Sequence, residues 1–300
     1  MGGGSRCAGR KLIHEIEHRD IDAGDDLRLH VAISGSGYPL VLLHGFTGST
    51  ESWSSLRGLL DDSFQVIAVD LPGHGRSSSP ADPSRYSAER LADDLSMIAE
   101  ELGLGPFALM GYSMGGRMAL RFALRHPQRL AKLILESASP GIADTAARTA
   151  RIASDLLLAD SIEKKGVEWF VSQWEMLSLW ASQQNLPAEK RSALHAQRLA
   201  NDPGGLANSL RGAGAGKVEP VIDQLSSMDV PALILAGAFD SAYVKYAEIM
   251  EGAMPNARRE IIEGAGHSIH FERPDALADK VRHFLLDSGR QQQKDLKESS

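Results

Sequence analysis

A hydroxyl, an imidazole and a carboxylate together make an alcohol reactive. The imidazole takes the hydroxyl proton, and the carboxylate fixes the imidazole's tautomer and steadies its positive charge. The chain carries such a set in Ser113, His267 and Asp240. Ser113 sits in Gly111-Tyr112-Ser113-Met114-Gly115, behind the unbroken apolar run Phe107-Ala108-Leu109-Met110 and ahead of a helical pattern that ends before Pro127. Asp240 comes just after the apolar run that closes at Ala236, and His267 follows a run from Arg259 to Ile262. Each group therefore stands on a loop after an expected strand, so all three gather at one edge of a sheet. Competing assignments exist. His270 lies three residues on, where the chain turns into its last helix; Asp229 precedes its strand and would fall at the opposite edge; Asp240 could merely cap a helix.

The elements that must hold these groups follow from apolar spacing. A short apolar run without alternation reads as a strand buried on both faces, as inside a parallel sheet. Pro39 to Leu43, Phe64 to Val69, Phe107 to Met110, Leu130 to Leu135 and Val230 to Leu235 all have this form. Leu27, Leu29, Val31 and Ile33 alternate with Arg28, His30 and Ala32, which predicts a strand with one half-wet face. Beyond Ser113, Met114, Met118 and Phe122 recur every four residues beside Ala119 and Ala123, one face of a helix. Glycines on either side permit a strained strand-to-helix turn that lifts the Ser113 hydroxyl above the sheet and leaves the Met114 N–H free. Further helices are expected from about Ser52 to Leu60, over residues 87–102 and from Pro274 to Leu286.

From about 142 to 217 the strand rhythm stops. This stretch is helical in pattern, holds Trp169, Trp174 and Trp180, and carries Arg148, Arg151, Lys164, Lys165, Lys190, Arg191, Arg198 and Arg211. It reads as a lid over the carboxyl edge of the sheet, where such sheets bind ligands. The expected fold class is α/β, a mostly parallel sheet flanked by helices with an inserted helical lid. Residues 26–141 and 218–286 would form the core, 142–217 the lid, 1–25 a poorly ordered leader with a polar edge strand, and 287–300 a disordered tail.

Composition narrows the function classes. Hydrophobic residues make up 43% of the 300 and charged residues 24%, an ordinary globular balance. A formal net charge of −7 gives no reason to expect nucleic acid or anionic membrane as partner. The one cysteine, Cys7, cannot form an internal disulfide, no apolar stretch approaches the roughly 18 residues that cross a bilayer, and the leader has no signal-peptide core, so a cytoplasmic place is expected. His14-Glu15-Ile16-Glu17-His18 spells a zinc-protease string but lacks a third ligand at an expected spacing, and reads better as edge strand. Gly212 to Lys217 hints at a phosphate loop, yet Arg211 stands where its first glycine belongs and Val218 where its Ser or Thr belongs; a flexible return linker is expected. The turn Asp70 to Ser77, with His74, reads as structural.

The strand, Gly-x-Ser-x-Gly turn and helix resemble the nucleophile elbow of the α/β-hydrolase superfamily, whose triad runs Ser, Asp or Glu, His along the chain. That resemblance implies an oxyanion hole from the Met114 N–H and the N–H of Phe46, in His44-Gly45-Phe46-Thr47-Gly48. More specific motifs are Asp70-Leu71-Pro72-Gly73-His74-Gly75, the elbow extended through Gly116-Arg117, Glu136-Ser137-Ala138-Ser139-Pro140-Gly141 and Gly266-His267-Ser268-Ile269-His270-Phe271-Glu272. Together they resemble the 2-succinyl-6-hydroxy-2,4-cyclohexadiene-1-carboxylate synthases of menaquinone biosynthesis, from about residue 28 to 286. The resemblance implies a lyase that eliminates pyruvate from a small tricarboxylate, with no cofactor and no metal, as a monomer or small homo-oligomer. It also implies substrate contacts from Arg117, Arg151, Arg198, Tyr112 and Trp174. Arginine forks suit carboxylates because two parallel N–H bonds form at once. Members often have Asp-Glu-Lys-Phe at the acid; this chain has Asp240-Ser241-Ala242-Tyr243, keeping the carboxylate but not the lysine. Two other functions use the same residues, a serine hydrolase and a ligand receptor on a disused hydrolase scaffold.

Overall fold

Eight strands hydrogen-bond into one sheet in the computed structural model, which describes residues 15–287. The expectations for the leader and the tail, including Cys7 and His14, fall mainly outside those residues. The strands are β1 (Glu17–Asp22), β2 (Arg28–Ser34), β3 (Tyr38–Leu43), β4 (Phe64–Val69), β5 (Phe107–Tyr112), β6 (Leu130–Glu136), β7 (Ala232–Gly237) and β8 (Ala257–Ile262). Their spatial order is β1-β2-β4-β3-β5-β6-β7-β8. β2 runs antiparallel to β1 and β4, and the pairs from β4 to β8 are parallel. The chain order reverses between β3 and β5, the kind of crevice where open α/β sheets place their ligands.

Period-two alternation splits the central strands between two apolar layers. Val41, Leu43, Ile67, Val69, Leu109 and Leu133 face α2 (Ala88–Glu101) and α3 (Met114–Arg125) through Leu91, Leu95, Met118 and Phe122. Leu40, Leu42, Val66, Met110 and Leu233 face the opposite layer, built from α1 (Ser54–Leu60) and α9 (Pro274–Leu286) through Leu56, Leu60, Leu277 and Val281. The helices start where side chains can accept first-turn N–H groups. Ser87 caps α2 by accepting from Arg90 N.

One strand departs from its pattern. β2 was expected to keep one face half wet, but everything from Leu29 to Ser34 is buried. The polar residue on that face is covered by its own partners: the His30 ring stacks on His18 at 5.2 Å and its Nδ1 lies 2.7 Å from Asp20 Oδ1. Edge-strand residues thus satisfy a buried imidazole that the alternation alone had assigned to water. Among the described residues, no group of three or more His, Cys, Asp or Glu is placed to hold a metal ion.

Between β6 and β7 the chain forms α4 (Thr145–Trp174), broken at Gly166, then α5 (Ala188–Leu199) and α6 (Pro203–Ala213). Asp144 and Asp202 cap α4 and α6, and Pro203 opens α6 with φ already set for a helix. Ile162, Phe170, Val171, Leu206 and Leu210 give this insertion a small core of its own, and Phe46, on the loop after β3, packs against it. The glycine-rich return is not the flexible spacer expected. Gly212 lies within α6, where a Cβ would overlap the Pro83 carbonyl oxygen, and a Cβ at Gly216 would meet Ile152 N at 2.9 Å. These glycines are there for close packing.

After β7 come α7 (Ser241–Ala253), the single-turn α8 (Ile269–Glu272) and α9. No helix among the described residues is long and apolar enough to cross a membrane.

Candidate active site

Ser113 is the residue between β5 and α3, at φ 50° and ψ −106°, a conformation that L side chains rarely adopt. Close neighbours hold it there. A Cβ on Gly115 would overlap the Leu43 carbonyl oxygen, and one on Gly111 the Gly115 carbonyl oxygen, so only glycine lets the turn sit this tightly on β3. The Ser113 N–H donates to the Glu136 carbonyl at 2.9 Å, fastening the turn to the end of β6.

Asp240 and His267 meet Ser113 from the ends of β7 and β8. His267 Nε2 lies 3.0 Å from Ser113 Oγ, and its Nδ1 lies 2.6 Å from Asp240 Oδ2. His267 is 1% exposed and Asp240 8%, so this chain of contacts is shielded from bulk water. Asp240 is the residue before α7, but its side chain makes no cap hydrogen bond; its carboxylate is turned to the imidazole. The competitors go elsewhere. His270 is fully buried with Nδ1 2.7 Å from Glu136 Oε1, and Asp229 accepts from Asn256 beyond the other end of β7.

These groups open into a cavity of about 490 Å³ under the helical insertion. Phe46, Tyr112, Met114, Arg117, Arg151 and Trp174, six of the residues expected at the site, line it with Ser113 and His267. Met114 opens α3, so its N–H has no acceptor within the helix. Phe46 follows β3, beside the elbow. Tyr112 presents its ring, while its hydroxyl is held 2.7 Å from Ser268 Oγ.

The cavity's charge is unusual. Arg117 lies in the first turn of α3, where the helix dipole disfavours a cation, and its Nε is buried with no hydrogen-bond partner among the described residues. Burial pushes its pKa down from the ordinary arginine value, and nearby Arg151 adds to that against the opposing pull of Tyr243 and Asp155. Arg151 reaches the cavity while its Nε donates to Asp155 at 2.8 Å. Arg148 does not share this position: it donates to the Gly216 carbonyl and pairs with Glu219 at the root of the insertion. The Trp174 indole N–H is also buried without an acceptor among the described residues. Unpaired buried donors of this kind await a polar ligand or water.

Arg198 differs from expectation. It does not line the cavity; it is 5% exposed and stacks on Trp180, with its carbon 5.1 Å from the ring centre. Its Nη1 donates to Glu175 at 2.9 Å and its Nη2 to Gln183 Oε1 at 3.0 Å. Gln183 donates in turn to Ser268 Oγ at 3.2 Å, next to His267 in the chain. A carboxylate within the insertion thus pairs with this guanidinium, whose Nε has no hydrogen-bond partner among the described residues, and its direct contact is with the wall behind Trp180.

Sequence reasoning also missed three neighbours. Trp180 stands edge-on to His267 with ring centres 5.5 Å apart, and Tyr243 does so at 4.4 Å. Asp155 is 5% exposed and lines the cavity. Its four-residue spacing from Arg151 was a readable signal of an ion pair. The tryptophan and tyrosine gave none, since aromatic residues on helices usually serve a core.

Behind the Phe46 loop lie two fully buried imidazoles, His44 and His74, with ring centres 5.1 Å apart. His44 Nε2 accepts from the Leu71 N–H at 3.0 Å, and His74 Nδ1 donates to the Pro72 carbonyl at 3.0 Å. Burial lowers their pKa values, to about 4 for His44 and about 3 for His74. Unfolded histidines titrate near ~6.5, so below that pH the unfolded chain binds more protons than the folded one. The stability tied to neutral imidazoles is complete above that pH and is lost as pH falls towards about 4. The lowering at His44 alone corresponds to about 3 kcal/mol as an upper figure. Melting temperature should fall steeply from pH 7 to pH 5, and His74→Gln should flatten that dependence. Equal slopes for the two proteins would remove the pair from the account.

Comparison with known proteins agrees with the geometry. A family model described as alpha/beta hydrolase fold matches residues 38–274. A Bacillus subtilis (strain 168) protein named as a 2-succinyl-6-hydroxy-2,4-cyclohexadiene-1-carboxylate synthase is 39% identical over 268 residues, covering 89% of this chain and 97% of its own. The synthase of that name from Serratia proteamaculans (strain 568) is 30% identical, covering 83% and 94%. The structure of MenH from S. aureus superposes with a TM-score of 0.82 at 34% identity, covering 86% of this chain and 97% of that one. The chain belongs to the alpha/beta hydrolase fold family and, within it, to the 2-succinyl-6-hydroxy-2,4-cyclohexadiene-1-carboxylate synthases.

Proposed function

We propose that this protein eliminates pyruvate from 2-succinyl-5-enolpyruvyl-6-hydroxy-3-cyclohexene-1-carboxylate, yielding 2-succinyl-6-hydroxy-2,4-cyclohexadiene-1-carboxylate. The observation that carries the substrate assignment is Arg117: a guanidinium without an ion-pair partner among the described residues, in the same cavity as a serine hydrogen-bonded to histidine. Burying such a cation is costly unless an anion arrives to pair with it. Arg151 at the same cavity supplies a second fork, and a substrate with three carboxylates uses both.

In this reading Ser113, His267 and Asp240 act as a base rather than as an acylating centre. His267 Nε2 takes the Ser113 proton while Asp240 holds Nδ1–H. The alkoxide removes the ring proton next to the succinyl ketone, and the electron pair moves onto the ketone oxygen. The Phe46 and Met114 N–H groups stabilise that oxygen, a single such donor typically being worth about 3 kcal/mol. The carbon–oxygen bond to the enolpyruvyl group then breaks, and the proton on His267 goes to the departing enolate to give pyruvate. Ser113 keeps the ring proton, so the residues return to their starting state without cofactor or metal. Residues 142–217 act as the lid that excludes water during this sequence. One cysteine in 300 residues and an unremarkable charge balance support a cytoplasmic place for the reaction.

A lactate-dehydrogenase-coupled assay on the enolpyruvyl substrate tests the reading. Stoichiometric pyruvate with no lag is the expected result. Absence of pyruvate, together with turnover of simple esters, would assign the site to a hydrolase.

A further inference from the structure

Arg198 of α5 heads a hydrogen-bond chain that runs from the insertion to the cavity, and the chain has a direction. A guanidinium can only donate. Its Nη2 lies 3.0 Å from Gln183 Oε1, so the Gln183 amide turns its oxygen to Arg198 and its NH2 to the other side. There Nε2 lies 3.2 Å from Ser268 Oγ, and an amide nitrogen again only donates. Ser268 Oγ lies 2.7 Å from the Tyr112 hydroxyl. One of these two hydroxyl hydrogens bridges the pair, and the other is left over. Ser268 is buried, does not line the cavity and has no other acceptor for its hydroxyl among the described residues, whereas Tyr112 lines the cavity with Ser113, Arg117 and His267. A hydrogen stranded on Ser268 would be a buried unpaired donor, which costs stability. The Ser268 hydrogen therefore goes to Tyr112, and the Tyr112 hydrogen is free for what the cavity holds.

We infer that Gln183 and Ser268 are positioning residues that carry the Arg198 charge to Tyr112 and hold its hydroxyl as a donor to an anionic oxygen of the ligand. The inference rests on the reading above for the compound that brings this oxygen, a carboxylate. Arg198 thus acts on the ligand without touching it. Each bond in such a chain polarises the next, and a charged donor at its head makes the last hydrogen a better donor. The Tyr112 phenol keeps its proton at neutral pH, since burial pushes its pKa well above the ordinary tyrosine value. The chain joins segments far apart in sequence: Gln183 lies between α4 and α5, Ser268 follows His267, and Tyr112 closes β5. It exists only while the insertion lies against the Ser268 loop, which ties the Tyr112 donor to a covered site.

Gln183→Glu tests the direction, because it keeps the size of the side chain and reverses the bonds. A carboxylate beside Arg198 only accepts, so it takes the Ser268 hydrogen, Ser268 then accepts from Tyr112, and the Tyr112 donor is lost to the ligand. A double-mutant cycle with Tyr112→Phe on the full chain reads this in pyruvate release. Each single variant should raise KM about tenfold with kcat within about threefold, and the double variant should also sit near tenfold. A rise of about a hundredfold in the double variant would overturn the inference, since the Gln183 change would then act without the phenol. So would a KM within about twofold of the parent in either single variant. Should Gln183→Glu not fold, Ser268→Ala takes its place, with a KM rise of about threefold that vanishes in the Tyr112→Phe background; a rise that is absent, or that persists there, counts against the chain. The same cycle in Kd for 2-succinylbenzoate, a dicarboxylate of similar outline, separates the inference from the reading it rests on. Coupled losses in Kd without pyruvate release keep the chain and remove the substrate assignment. Pyruvate release with additive losses does the reverse, and a parent that shows neither binding nor release removes both.

Discussion

Ser113→Ala should abolish most pyruvate release, by roughly 10³-fold, within the 10² to 10⁴ that a positioned base contributes. The Ser113 oxygen is the group that His267 Nε2 holds at 3.0 Å. Without it, the oxygen that would take the ring proton is gone, and the imidazole has no hydroxyl to deprotonate. Binding should survive, since Arg117, Arg151 and the Trp174 wall are untouched; product titrated by calorimetry should bind within about threefold of the parent. Stability adds an independent reading. At φ 50° and ψ −106° a non-glycine residue stores about 1–3 kcal/mol of strain, while glycine forfeits about 0.5–1 kcal/mol through its freer unfolded chain. Ser113→Gly should therefore melt at or above Ser113→Ala, the reverse of the usual order. An alanine variant that keeps pyruvate release within tenfold would remove Ser113 as the base, and a glycine variant melting well below it would remove the strain.

Which parts of this could be read from sequence follows from how far each determinant reaches along the chain. The parallel strands were legible because burial on both faces leaves an unbroken apolar run, as at Phe107 to Met110 and Ala232 to Leu235. The triad was legible because each member needs only the end of one strand, and the sheet does the gathering. Arg198 was not. Its place depends on Glu175 and Gln183, which approach from other segments of the insertion and are invisible to helical periodicity. The dry face of β2 was hidden for the same reason, as its imidazole is satisfied by β1. The glycines at 212 and 216 looked like slack in the chain, and only the approach of Pro83 and Ile152 shows them to be packing positions. Tyr243 is the sharpest case. In sequence it is an aromatic residue on a helix, and only the fold sets its ring edge-on to His267, with 4.4 Å between centres.

Arg117→Ala should lower kcat/KM for pyruvate release by about 10² to 10³, the loss expected for one bidentate charge-assisted pair at roughly 1.5–3 kcal/mol per bond with incomplete additivity. Hydrolysis of a neutral ester such as p-nitrophenyl acetate needs the serine, the histidine and the backbone donors but no cation, so it should change by less than about threefold. The ratio between the two effects is what separates a carboxylate clamp from a residue that merely supports the elbow. Arg117→Lys should fall between, since an ammonium keeps the charge but cannot form the planar fork. The empty protein should respond in the opposite direction. A partly buried guanidinium whose Nε is shielded and which has no ion-pair partner among the described residues, its pKa lowered by desolvation, destabilises the fold. Arg117→Met, which keeps much of the side-chain volume, should therefore raise the melting temperature. Substrate-like tricarboxylates should stabilise the parent and leave the methionine variant unmoved. Equal loss of both activities in Arg117→Ala, or a lower melting temperature in Arg117→Met, would mean that the arginine holds structure rather than substrate, and the assignment of a carboxylate-bearing ligand to this cavity would fall with it.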